Sequence, residues 1–143
     1  MSALRSAAQA IADPSPARTT AVLATFERLA GEGQDYAVQA VWIAVYLGQP
    51  DAAMAFADRL LDPDRVAGVT RRFDDHVEYA IARERPTAML FVPPADRLWT
   101  HPRFLPLMER AGLVGYWRDH GGPDLCHRAE LRAACRQRGI LPR

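Results

Sequence analysis

Lysine is absent from this chain: all 18 of its Lys-plus-Arg positions are arginine. Alongside abundant alanine, that absence fits a GC-rich coding sequence, so a single arginine carries less meaning here than elsewhere. Excess charge of one sign is missing too. Eighteen basic residues face 17 acidic ones for a net +1, which excludes a general attraction to nucleic acid or to a membrane surface. No apolar run approaches the roughly 20 residues that span a bilayer; residues 36–47 come closest and are interrupted by Gln39. The N-terminal stretch has one Arg5 and no continuous apolar core, a poor secretory signal, so cytoplasm is the expected location.

Cysteine is scarce, with only Cys126 and Cys135, which excludes a disulfide framework. On one straight helix the two would stand about 13 Å apart. A disulfide needs Cα atoms within roughly 7 Å, so they pair only if the chain bends between them. A Gly-rich phosphate loop, Gly-x-Ser-x-Gly and His-Glu-x-x-His are all missing, which closes common routes to nucleotide, acyl-transfer and zinc-protease chemistry.

What is present reads as helix almost throughout. At 143 residues, with 49% hydrophobic and 24% charged, the chain suits one domain, 1–143, with a real core. Ser2–Asp13 places Leu4, Ala7, Ala8 and Ile11 at helical spacing. Pro14 and Pro16 break that run, and Thr19 or Thr20 is the expected cap of a second helix reaching Ala30. Gly31 and Gly33 end it. Residues 35–47 are apolar nearly all round, as expected of a central core helix; the VWIAV run also permits a strand, but length and flanking pattern favour helix. Gly48 stops this helix and Pro50-Asp51 starts another, with Ala53, Phe56 and Leu60 inward. Val66–Arg85 predicts one longer helix with Val69, Phe73, Val77 and Ala80–Ile81 inward. Residues 88–92 (AMLFV) have no second strand to pair with and read as a buried extended connector. His101 and Pro102 predict an N-cap and first position for a helix burying Phe104, Leu107, Met108 and Ala111 and closed by Gly112. A short helix over Leu113–His120 with Leu113, Tyr116 and Trp117 inward, then a basic C-terminal helix or tail over 127–143, completes the chain.

The segment Tyr36–Leu61, with Gly48 and Ala53 at the offset of a turn glycine and a close-packing alanine, resembles a tetratricopeptide-type helical hairpin. His-Pro-Arg-Phe-Leu-Pro-Leu-Met-Glu-Arg-Ala-Gly-Leu (101–113) is similar to the segment that caps such arrays in bacterial regulatory and signalling proteins, with His101 where an acidic residue is usual. Gly-Tyr-Trp-Arg and Pro-Asp-Leu-Cys, which follow, resemble the tails of such proteins. The resemblance covers about residues 34–126. It implies an all-α fold of antiparallel helical hairpins, a short right-handed solenoid or bundle of roughly seven or eight helices. It also implies a non-enzymatic scaffold or adaptor that binds a protein or peptide on a concave helix face.

Candidate chemistry is sparse. His120, Asp124, Cys126, His127 and Cys135 are zinc-ligand types without a ligand-pair spacing, so no metal or other cofactor is expected. Asp74, Asp75, His76 and Glu78, one turn after Arg71 and Arg72, offer acid and base groups, but local ion pairs on a solvated face explain them as well. A pocket near His76 or His120 would make the chain a small helical enzyme or a small-molecule binder. Arg128, Arg132 and Arg136 recur every four residues opposite Leu131 and Cys135, and Arg138 and Arg143 add to the tail. This stripe, with Trp99 as a latch in the preceding connector, is the candidate partner-binding surface; the plain alternative is a solvated helix face. The expected partner is a protein or peptide, or a second copy of the chain. A nucleic-acid accessory role through the same arginines ranks below these, and a membrane is excluded.

Overall fold

A serine ahead of an apolar-periodic run supplies a side-chain oxygen to an orphan N–H of the first helical turn. The chain opens with two such starts. In the computed structural model, which describes residues 2–62, 71–73, 77–79 and 87–142, Ser2 caps α1 (Ala3–Ala12) and Ser15 caps α2 (Pro16–Ala30). Their hydroxyls accept from the Arg5 and Arg18 N–H groups at 3.4 and 3.3 Å. The expected cap at Thr19 or Thr20 is therefore corrected. Pro16 occupies the first helical position, where its missing N–H leaves no bond unmade and its fixed φ already suits a helix.

The chain, read from the sequence as one domain, divides into two compact units, Met1–Ala95 and Asp96–Arg143. In the first, α3 (Gln34–Tyr46) packs on α2 and on α4 (Pro50–Leu60), and α1 packs on α2. Links of three residues join α2 to α3 and α3 to α4, and so short a link folds consecutive helices back as hairpins. Ala37, Ala40, Val41, Ala44 and Val45 form one buried stripe of α3, while Tyr36 and Tyr46 are exposed, so the helix expected to be buried nearly all round turns one face to the core. Arg59 of α4 pairs through both terminal nitrogens with the Glu27 carboxylate of α2, a fork-to-fork pair that raises the Arg59 pKa against the opposing effect of burial. α1 turns inward on Ala7 and Ala10, whereas Leu4 and Ile11, expected on the core face, are exposed.

Gly48 sits at φ +68°, and its N–H and that of Gln49 bond the Val45 and Ala44 carbonyls at 3.0 and 2.8 Å. These are the two bonds of a left-handed helix stop. Nothing lies within 4 Å of an added Cβ, so a Gly48→Ala change meets only backbone strain. It should lower stability by about 1–2 kcal/mol, seen as a lower urea midpoint with an unchanged m-value.

The long helix expected over Val66–Arg85 is not formed where it is described. Arg71–Phe73 (β1) and Val77–Tyr79 (β2) pair antiparallel, with Arg72 opposite Glu78 and Phe73 opposite Val77. The rest of that prediction, Val69, Ala80 and Ile81 included, lies outside the described residues. Apart from this ribbon, the secondary structure among the described residues is helical, with seven α-helices. The connector at 88–92 is not extended: Thr87–Leu90 forms a 3-10 turn that buries Met89 and Leu90. The Trp42 indole N–H of α3 donates to the Met89 carbonyl at 3.2 Å, giving a part-buried polar handle its partner.

The second unit holds a 3-10 turn ending at Leu98, then α5 (Phe104–Arg110) packed on α6 (Leu113–His120). The expected N-cap at His101 and first position at Pro102 are corrected: regular helix begins at Phe104 with Arg103 as its N-cap, and the His101 Nδ1 accepts from the Arg103 N–H at 3.2 Å in the turn before it. Gly112 closes α5 at φ +85°. The inward pair of α6 is Val114 and Trp117 rather than Leu113 and Tyr116; Tyr116 is exposed. Among the described residues, no helix is long and apolar enough to cross a membrane.

Candidate functional site

The last helix, α7 (Ala129–Gln137), follows a 3-10 turn at Asp124–His127 and packs against it. The two helical pieces are not collinear, because Arg128 between them is extended at φ −66°, ψ 138°. That bend brings the Cα atoms of Cys126 and Cys135 to 5.8 Å, and the two sulfurs form a disulfide. The condition derived from the sequence, pairing only across a bend, is met at Arg128. Leu131 and Cys135 are the buried edge of α7. At its C-terminus Gly139, at φ +69°, and Ile140 return N–H bonds to the Arg136 and Cys135 carbonyls, both at 3.0 Å. Ile140 is buried.

With Leu131 and Cys135 inward, Arg128, Arg132 and Arg136 are all exposed. The Arg128 guanidinium lies over the Trp99 ring, 4.3 Å from its centroid, within reach of a cation–π attraction. Arg132 donates to the His127 carbonyl at 2.9 Å, which fixes its stem across the first turn of α7. Among the described residues, no carboxylate pairs with any of the three. Arg118 is used differently: its Nε donates to the Arg138 carbonyl at 2.6 Å and its terminal nitrogen stands 3.6 Å from Glu109, joining α6 to the end of α7 and to α5.

The overall +1 charge hides a division. Residues 96–143 carry nine arginines against five carboxylates, while residues 1–95 carry nine against twelve. Whole-chain counting averages the two away, and only the unit boundary at Ala95 exposes the excess. The four residues singled out from the sequence, Trp99, Arg128, Arg132 and Arg136, thus fall in the electropositive unit, and two of them touch.

The other candidates do not converge. Cys126 and Cys135 are bonded to each other, so neither offers a thiolate to a metal, and among the described residues no group of three His, Cys, Asp or Glu side chains is placed to hold one. His120 is exposed, stacked on Tyr116 with centroids 4.3 Å apart, its Nδ1 3.0 Å from the Tyr116 carbonyl. Asp124 and His127 are exposed on the 3-10 turn. Asp74, Asp75 and His76 lie outside the described residues, as does Arg143, and of Arg71, Arg72 and Glu78 only the backbone is described. No family, no curated protein and no solved structure matches the chain.

Proposed function

We propose that the chain is a non-enzymatic protein- or peptide-binding domain whose contact face is the Arg128–Arg132–Arg136 stripe of α7, and that the partner segment is acidic. The observation that carries this is the exposed stripe without a carboxylate partner among the described residues, in a unit with nine arginines against five acids. Guanidinium forks at a regular four-residue interval of the sequence favour bidentate carboxylates. Four residues of helix advance about 6 Å, and alternate side chains of an extended peptide stand about 6.6 Å apart on one side. A segment with Asp or Glu at every second position therefore meets the stripe in step.

Nucleic acid is the less favoured occupant. Single-strand binders need aromatic faces open to stacking, and Arg128 covers Trp99. Three arginines along about 12 Å of helix also fall short of the phosphate contacts that give duplex binders their affinity. The tetratricopeptide-like reading of the first unit belongs to the same proposal. It is supported by the successive hairpins of α1–α4, the left-handed stop at Gly48 and the complete burial of Ala53; the bacterial regulatory setting rests on the resemblance alone.

The test is titration with a labelled ten-residue peptide alternating Glu and Ala. Affinity should fall on the order of tenfold between 50 and 200 mM salt as exposed charges are screened. Indifference to salt, or tighter binding of a DNA or RNA oligonucleotide, would overturn the reading.

A further inference from the structure

We propose that the Cys126–Cys135 bridge is a redox lock on the basic face: α7 holds its helical conformation, and with it the arginine spacing, only while the bridge is closed. The functional consequence rests on the peptide-binding reading above; the lock itself rests on how α7 is held.

Four observations converge on it. α7 has nine residues, below the roughly 12–15 at which an isolated helix becomes even marginal in water. Only Leu131 and Cys135 of those nine are buried, so one of its two buried side chains is itself a bridge sulfur; Arg118 and Ile140 hold only the segment just past its C-terminus. Within α7, Arg132 and Arg136 stand at i, i+4, and like charges at that spacing destabilise a helix. The other sulfur belongs to a turn that is anchored independently, with Leu125 and Cys126 both buried. The bridge thus ties a short, self-repelling helix to a fixed point across a nine-residue separation.

Opening the lock consumes one dithiol. Its two thiols give their protons and two electrons to the bridge, leaving Cys126 and Cys135 as thiols and the reagent as its own cyclic disulfide. Closing it needs an oxidised dithiol or an oxidising compartment, where such bridges persist. Both sulfurs are fully buried, so an attacking thiolate reaches them only when α7 opens locally. The lock therefore changes state slowly, as a setting rather than a rapid sensor.

Hydrogen exchange on the full chain, oxidised and after dithiothreitol, tests this, with the amides of α3 as the internal reference. On reduction, the amides of Leu131–Gln137 should exchange roughly 100-fold faster, as expected for releasing a loop of this length, while α3 is unchanged. The C126S/C135S double variant should reproduce the reduced pattern without reagent. Unchanged protection in α7 after reduction overturns the lock. In parallel, the Glu-Ala peptide should bind the reduced chain at least about tenfold more weakly; lost protection with full affinity would overturn control of the face. If protection is lost on reduction but the oxidised chain never binds the peptide, the lock stands and the peptide-binding reading falls.

Discussion

Replacing Phe26 with alanine should remove about 3–5 kcal/mol of stability. Phe26 is among the largest fully buried side chains and belongs to α2, which packs against α1, α3 and α4. The loss combines the transfer of an aromatic ring with the cavity left behind, and the second part depends on whether neighbours can fill the space. The buried positions of α3, against which α2 packs, are Ala37, Ala40, Val41, Ala44 and Val45, short or β-branched side chains with little reach. The effect stands well above that at Gly48. Urea unfolding followed by helical circular dichroism measures it; a loss under about 1 kcal/mol would mean that α2 does not seal this core.

The second large effect is on binding rather than stability. Reversing Arg128, Arg132 and Arg136 together to glutamate should weaken the acidic peptide on the order of 100-fold. Each exposed pair contributes about 0.2–1 kcal/mol, and the reversed charges add repulsion of similar size. The three side chains are exposed, so thermal stability should change little. The charge reversal also has opposing effects on the helix: a carboxylate suits the N-cap position at 128 and opposes the dipole near 136. Fluorescence anisotropy with the labelled peptide reads the result, and unchanged affinity would dissociate the stripe from binding.

Where helix boundaries depend on local chemistry, they were legible in residue order. Gly48 and Gly112 stop helices because only a left-handed residue closes the last turn there, and the burial of Phe104, Leu107 and Met108 follows from 3.6-residue spacing. The start of α2 was missed because Pro16 looks like a breaker and acts as a first residue. The pairing of 71–73 with 77–79 was missed because Phe73 and Val77 are four apart, a spacing that helix and paired strands both use. Tyr116 was placed inward on hydrophobicity alone, whereas Val114 and Trp117 already fill the buried side of α6. The arginine stripe was visible as a four-residue period. Its two supports were not: the bend at Arg128 that closes the disulfide is set by tertiary packing, and the charge division appears only once the two units are known.

Mapping backbone amide and indole shifts of the oxidised, isotope-labelled chain on titration with the Glu-Ala peptide addresses the binding face most directly. The account predicts shifts concentrated from Arg128 to Arg136 and at the Trp99 indole. Shifts confined to α1–α4, with α7 silent, would contradict it.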